Sequence, residues 1–193
     1  CSKLTLKYCS STQIYMNKNR IILFFIFLAV FTIIFQLGSM STVSQVEADL
    51  FMEEFKKLVL DIDAFGIFVH NTTIALPMFI PGFGIFWGLF SSWSTGYAFA
   101  AIATSIPEVA NISPLTILFL SPFGLMEISA YSLGISRSFI LIKAIITKTN
   151  LLQFIKPTII EIGIVIALLL AGGYIEFYMI ELVENENLEM PGF

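Results

Sequence analysis

Charge is what this chain has least of. Charged residues make up 12% of its 193 positions, against roughly 25% in an ordinary soluble domain. Histidine occurs once and cysteine twice. A lone His cannot build a multi-histidine metal or proton-relay site. Cys1 and Cys9 form no C-x-x-C and have no neighbouring His, so neither a disulfide framework nor a zinc site is supported. G-x-S-x-G, H-E-x-x-H and phosphate-loop patterns are also missing, which removes the common catalytic motifs. The expectation is a protein that is not an enzyme and carries no cofactor. Basic residues are scarce as well. Ten Lys and Arg face 14 Asp and Glu, a net charge of −4, so nucleic acid is not an expected partner.

Apolar residues fill the space that charge leaves. They reach 57%, with 20 Phe, and the mean hydropathy is +0.89. A soluble fold of this size has too little interior to hide that surface. The expected fold class is all-α, a polytopic transmembrane helix bundle of about five spans plus a re-entrant half-helix. Residues 21–193 form one transmembrane domain behind an N-terminal cytoplasmic segment, 1–20, and the lipid bilayer is its first partner. Within that segment Cys1-Ser2 would suit a lipidated mature terminus. Met16-Asn17-Lys18-Asn19-Arg20 reads instead as a natural start, with residues 1–15 expected to be weakly ordered or extraneous.

The first span is 21–38, whose 18 residues reach about 27 Å, close to the hydrocarbon thickness. A cleaved signal peptide is the competing reading, but no A-x-A site follows, so an uncleaved anchor is favoured. An amphipathic helix is expected over 45–60, where Val46, Leu50, Phe51, Phe55, Leu58 and Val59 recur at helical spacing. It lies along the membrane interface or packs on neighbouring loops. Residues 64–106 are too long for one crossing, and Pro77 and Pro81-Gly82 divide them into spans 64–80 and 82–106. In the second, Gly84, Gly88, Ser92, Gly96, Ala100 and Thr104 fall four apart. Such a ridge lets helices approach closely in lipid. Asn111-Ile112-Ser113 fits the glycosylation pattern, weakened by Pro114. A half-helix is expected over 113–121 and spans over 123–146 and 157–178. Ala130, Gly134 and Ser138 make a second small-residue ridge, a partner for the first.

Lys18 and Arg20 place the N-terminus in the cytoplasm, and so do Lys143, Lys148 and Lys156 for their loop. The acidic stretches 39–63 and 181–193 then lie outside, C-terminus included, in a multi-pass protein of the cell membrane. Ionisable and amide groups inside spans are costly, so each calls for a reading. Asn71 is inter-helix glue or a substrate or ion contact. His70 lacks the company a metal site needs. Glu127, near the Pro122-Phe123-Gly124 break, pins a helix start through backbone N–H groups and Asn71 or a Ser, or else handles an ion or proton. Arg137 snorkels to cytoplasmic headgroups, and Glu161, near the same interface, is its expected ion-pair partner.

Phe65-Gly66-Ile67-Phe68-Val69-His70-Asn71, the glycines of 82–96, and Pro122-Phe123-Gly124-Leu125-Met126-Glu127 with Ala130 occur in one order. In that order the chain resembles the stage II sporulation protein M family, over about Phe65 to Ile146. Phe123 stands where the family usually has His, and Thr95 precedes Gly96 where Asn is usual. Asn71, Gly124 and Glu127 carry over. The resemblance implies an all-helical membrane protein without known catalysis, whose sporulation member acts as a scaffold for cell-wall remodelling partners. Three functions stay open. The first is a non-catalytic membrane scaffold or accessory subunit, with other membrane proteins or a second copy as partner. The second is a small transporter or channel with a polar site around Asn71 and Glu127. The third is an accessory subunit of a larger membrane enzyme complex.

Overall fold

The computed structural model describes residues 3–59 and 62–189. Cys1, Leu60 and the chain past Glu189 lie outside the described residues. The described chain is all-α, without a strand. Its helices are α1 (Lys3–Ser39), α2 (Gln45–Val59), α3 (Ala64–Ala75), α4 (Phe83–Ser105), α5 (Pro107–Ala110), α6 (Pro114–Leu120), α7 (Pro122–Ile146) and α8 (Leu152–Glu189). A 3₁₀ turn, Leu76–Phe79, follows α3.

Local chemistry sets the boundaries. Ser44 and Glu47 make a reciprocal capping box at the start of α2. The Ser44 N–H donates to the Glu47 carboxylate at 3.0 Å and the Glu47 N–H donates to the Ser44 hydroxyl at 3.4 Å. Asp63 caps α3 by accepting the Gly66 N–H at 2.7 Å, and Ser121 caps α7 by accepting that of Gly124 at 3.2 Å. Pro77 has no N–H, so the ladder of α3 cannot run through it. The Ile74 carbonyl beside that break accepts the Trp87 indole N–H at 2.9 Å instead. Gly82, at φ 78°, then turns the chain into α4.

Three helices are long and apolar enough to cross a membrane: Lys18–Ser39, Pro122–Ile146 and Leu152–Leu182. Two expected spans do not qualify on those grounds. The stretch 64–80 is no single rod but a 12-residue helix and a 3₁₀ turn. The helix alone rises only about 18 Å. α4, with 23 residues, is long enough. It is diluted by Ser91, Ser92, Ser94, Thr95, Thr104 and Ser105. The last helix also starts before its expected boundary, so Pro157 lies inside α8 rather than opening it.

Residue pairings give the directions. Ser92 bonds to Phe31, and Gly96 abuts Phe35, so α1 and α4 run parallel. Asn71 meets Glu127 and Ile80 meets Ser138, so α3 with its turn runs parallel to α7. Gly172 faces Met126, while Glu161 meets Arg137, so α7 and α8 are antiparallel. Gly82 faces Ile142 and Gly88 faces Ile135, which makes α4 antiparallel to α7. Five rods therefore alternate: α1, α4 and α8 one way, α3 and α7 the other. At one end gather Lys18, Arg20, the Pro81-Gly82 turn and the Lys143–Lys156 loop. At the other lie α2, packed on α4, and α6.

α7 is the hub, touching α1, α3, α4, α6 and α8. The core around it holds Phe31, Met78, Ile128, Tyr131, Ile135, Val165 and Leu169. Gly84, Gly88, Ser92, Gly96 and Ala100 are buried along α4. Their partner is not the ridge of α7. A Cβ on Gly96 would overlap the Phe35 carbonyl oxygen, and one on Gly38 that of Trp93. At Ser92 and Gly96 the seam is thus a close approach of α4 and α1, whereas a Cβ on Gly84 would meet the Met78 carbonyl and one on Gly88 the Ile135 side chain of α7. Gly134 and Ser138 instead face the segment after α3. A Cβ on Gly134 would press on Met78 at 2.9 Å, and the Ser138 hydroxyl donates to the Ile80 carbonyl at 2.6 Å.

Candidate functional site

The three helices that can cross a membrane are tied by one ionic cluster. Arg20 reaches it from α1, Arg137 from α7 and Glu161 from α8. Arg20 Nε donates to Glu161 Oε1 at 2.6 Å and Nη2 donates to Oε2 at 2.8 Å, a bidentate fork. Arg137 Nε donates to Glu161 Oε2 at 2.7 Å, and its Nη2 donates to Oε1. One carboxylate thus receives a hydrogen bond from each of four guanidinium nitrogens. Arg20 also donates to the Ser136 hydroxyl at 2.8 Å and the Leu133 carbonyl at 3.2 Å, anchoring it to α7 twice more. The Ser136 hydroxyl in turn donates a hydrogen bond to the Ser132 carbonyl at 2.5 Å.

Arg137 does not snorkel to a headgroup. It is only 4% exposed, among Gly134, Ile135, Ser136 and Ser138, all buried. A cation so placed persists only when paired and hydrogen-bonded. Two guanidiniums share one carboxylate, so the cluster keeps one positive charge over. A cavity of about 600 Å³ opens beside it, bounded by Arg20, Arg137, Glu161, Lys143, Phe139 and Phe154 among others.

A second polar contact lies toward the other end. Asn71 Nδ2 donates to Glu127 Oε1 at 2.5 Å, joining α3 to α7. Asn71 is buried. Glu127 is the sixth residue of α7, past the first turn, and the cap it was expected to supply comes from Ser121. Glu176 lies on α8 one turn past Gly172, which packs against Met126 beside Glu127. His70, one position from Asn71, points away and is exposed. Among the described residues no group of three His, Cys, Asp or Glu could hold a metal ion.

The structure therefore brings Arg137 to Glu161 and Asn71 to Glu127, and leaves His70 apart from both. Gly84, Gly88, Ser92, Gly96, Ala130 and Gly134 are all buried packing positions. Sequence reasoning missed two members. Arg20 was read only as a topological signal, although it abuts an apolar run with no spacer. Glu176 was passed over, although it lies within 157–178 and is as costly there as Glu161. Chemically, both clusters link helices, and neither contains a nucleophile paired with a base.

No family model matches the chain, and no curated protein or solved structure matches it.

Proposed function

We propose that the chain is a non-catalytic integral membrane scaffold or accessory subunit, resembling stage II sporulation protein M, with other membrane proteins or a second copy as partner. The observation that carries this is the set of four hydrogen bonds by which Arg20 and Arg137 hold the Glu161 carboxylate. Intramembrane charges pair with one another where they link helices, and these four bonds hold α1, α7 and α8 in one arrangement. Large apolar side chains stay exposed along α1, α4 and α8, with Phe86 at 71% and Phe25 at 59%. They suit contact with lipid or with another membrane chain.

The finer architecture belongs to this proposal. All five rods cross the bilayer of the cell membrane, with α6 as a re-entrant half-helix, the N-terminus cytoplasmic and the C-terminus outside. The alternating directions support it. So do four of the six hydroxyls that dilute α4, those of Ser91, Ser92, Thr95 and Thr104, each of which donates to a backbone carbonyl. Ser91 donates to the Trp87 carbonyl at 2.8 Å, Thr95 to that of Ser91 at 2.9 Å and Thr104 to that of Ala100 at 2.8 Å. A hydroxyl satisfied inside its own helix demands no water. Lys18, Arg20 and the Lys143–Lys156 loop supply the positive-inside signal at a single end.

A second reading, a small transporter, is favoured by one observation. α3 gives way to a 3₁₀ turn at Pro77, as discontinuous helices around binding sites do, and the Asn71–Glu127 contact lies where α3, α7 and α8 meet. Reconstitution separates the two. The scaffold predicts liposomes no more permeable to protons or cations than empty ones. It also predicts a defined crosslinked partner, or a second copy, when a photoreactive residue replaces Phe86 in native membranes. Flux that disappears in Glu127→Gln would establish the transporter instead.

A further inference from the structure

The cavity beside the ion cluster has a shape and charge that neither linking helices nor spanning lipid requires. At about 600 Å³ it falls within the roughly 300–1,000 Å³ of small-molecule sites. Three cations, Arg20, Arg137 and Lys143, and one carboxylate, Glu161, line it. The cluster has one uncompensated positive charge, and Lys143 adds another. Lys143 is exposed and makes no hydrogen bond or ion pair among the described residues. Arg137 lines the cavity too, and its bonds to Glu161 use Nε and Nη2 rather than Nη1. Apolar side chains, Ile22, Leu23, Phe139 and Phe154, complete much of the lining. Thr147 and Thr149 stand at its rim with hydroxyls 2.8 Å apart.

From this we infer that the cavity holds the phosphate of an anionic phospholipid, with Arg137, Arg20 and Lys143 facing the phosphodiester and Ile22, Leu23 and Phe154 along the first acyl carbons. Charge complementarity selects an anion. The apolar wall selects an amphiphile over a free ion, since a hydrated anion gains nothing from Phe139 or Phe154. The guanidinium supplies the planar fork that phosphate oxygens match. The inference rests on membrane insertion of α1, α7 and α8 but not on the scaffold role.

The test is native mass spectrometry of the full chain, released from a neutral sugar detergent after incubation with equimolar phosphatidylglycerol and phosphatidylcholine. Phosphatidylglycerol should be retained preferentially. Lys143→Gln should lower that preference about five-fold, the effect of roughly 1 kcal/mol per cation near a lipid phosphate. Lys156→Gln, which lies off the cavity, should leave it unchanged. Equal retention of the two lipids overturns the site. Equal losses in both variants also overturn it, by assigning the preference to a diffuse basic surface. Inorganic phosphate that raises the melting temperature as far as phosphatidylglycerol makes the occupant a free anion and overturns the lipid assignment. A photoactivatable phosphatidylglycerol on the unaltered chain gives an independent readout. Crosslinks within 19–23 and 137–149 support the site, and crosslinks centred on α2 or α4 contradict it. Failure of insertion is read separately, since a chain that floats free of vesicles refutes the membrane reading before any lipid is compared.

Discussion

Replacing Glu161 with Gln keeps the side-chain shape and removes the one negative charge between Arg20 and Arg137. Gln retains a single acceptor oxygen, and its amide nitrogen cannot accept. Of the four guanidinium nitrogens now bonded to Glu161, at least two lose their partner. At about 1.5–3 kcal/mol for each charge-assisted bond, the loss is about 3–6 kcal/mol. Breaking a buried pair by deleting one partner costs about 3–5 kcal/mol, which agrees. Relief comes from Arg20, whose side chain is 17% exposed and can swing outward, so the lower end, about 3 kcal/mol, is expected. Arg20→Gln and Arg137→Gln should each cost less, about 1–3 kcal/mol, because either leaves a neutral pair behind. SDS titration of the protein in mixed micelles, followed by the fluorescence of Trp87 and Trp93, gives these differences. The reasoning is refuted if Glu161→Gln unfolds at the unaltered midpoint, or if Arg137→Gln is the more damaging change.

Three further outcomes follow from the same geometry. Exchanging the charges of Arg137 and Glu161 should fail to rescue stability, because the exchange sets a cation beside Arg20; a midpoint restored to that of the unaltered chain would show that Arg20 is not a working member. Gly96→Leu should destabilise by about 1–3 kcal/mol through overpacking of the α1–α4 seam, whereas Gly163→Leu, where nothing lies within 4 Å of an added Cβ, should be neutral in the same titration. Hydrogen bonds from Ser44 hold the Glu47 carboxyl below its ordinary range. That contribution is fully present above the ordinary carboxylate pKa and is lost as pH falls through the lowered value, so amide protection in α2, corrected for intrinsic exchange, should drop on acidification and lose this dependence in Glu47→Gln.

The elements that periodicity marks strongly were legible. Helical spacing of Val46, Leu50 and Phe55 gave α2, and the four-residue repeat of small residues gave the buried face of α4. What that face touches was not legible, because a smooth ridge accepts any helix. Gly96 met α1, and Gly134 met the turn after α3. Arg137 and Glu161 could be paired from their shared nearness to one end. Arg20 could not, since a cation flanking an apolar run usually stays among headgroups, and only the packing of α1 against α7 turns it inward. The break at Pro77 was visible, but its consequence was not: a 3₁₀ turn, with the Ile74 carbonyl at the end of α3 answered by Trp87 from another helix.

The central claim is that five rods cross the bilayer in alternation, and the Pro81-Gly82 turn is its most sensitive point. If only α1, α7 and α8 cross, that turn lies on the same side as α2; if α3 and α4 cross as well, it lies with the Lys143–Lys156 loop. Pro81→Cys, in a chain whose Cys1 and Cys9 are replaced by Ser, can be treated in sealed cells with a membrane-impermeant maleimide alongside Asp49→Cys and Thr149→Cys. The account predicts labelling of Asp49→Cys from outside, and of Pro81→Cys and Thr149→Cys only after the membrane is opened. Labelling of Pro81→Cys from outside would contradict it.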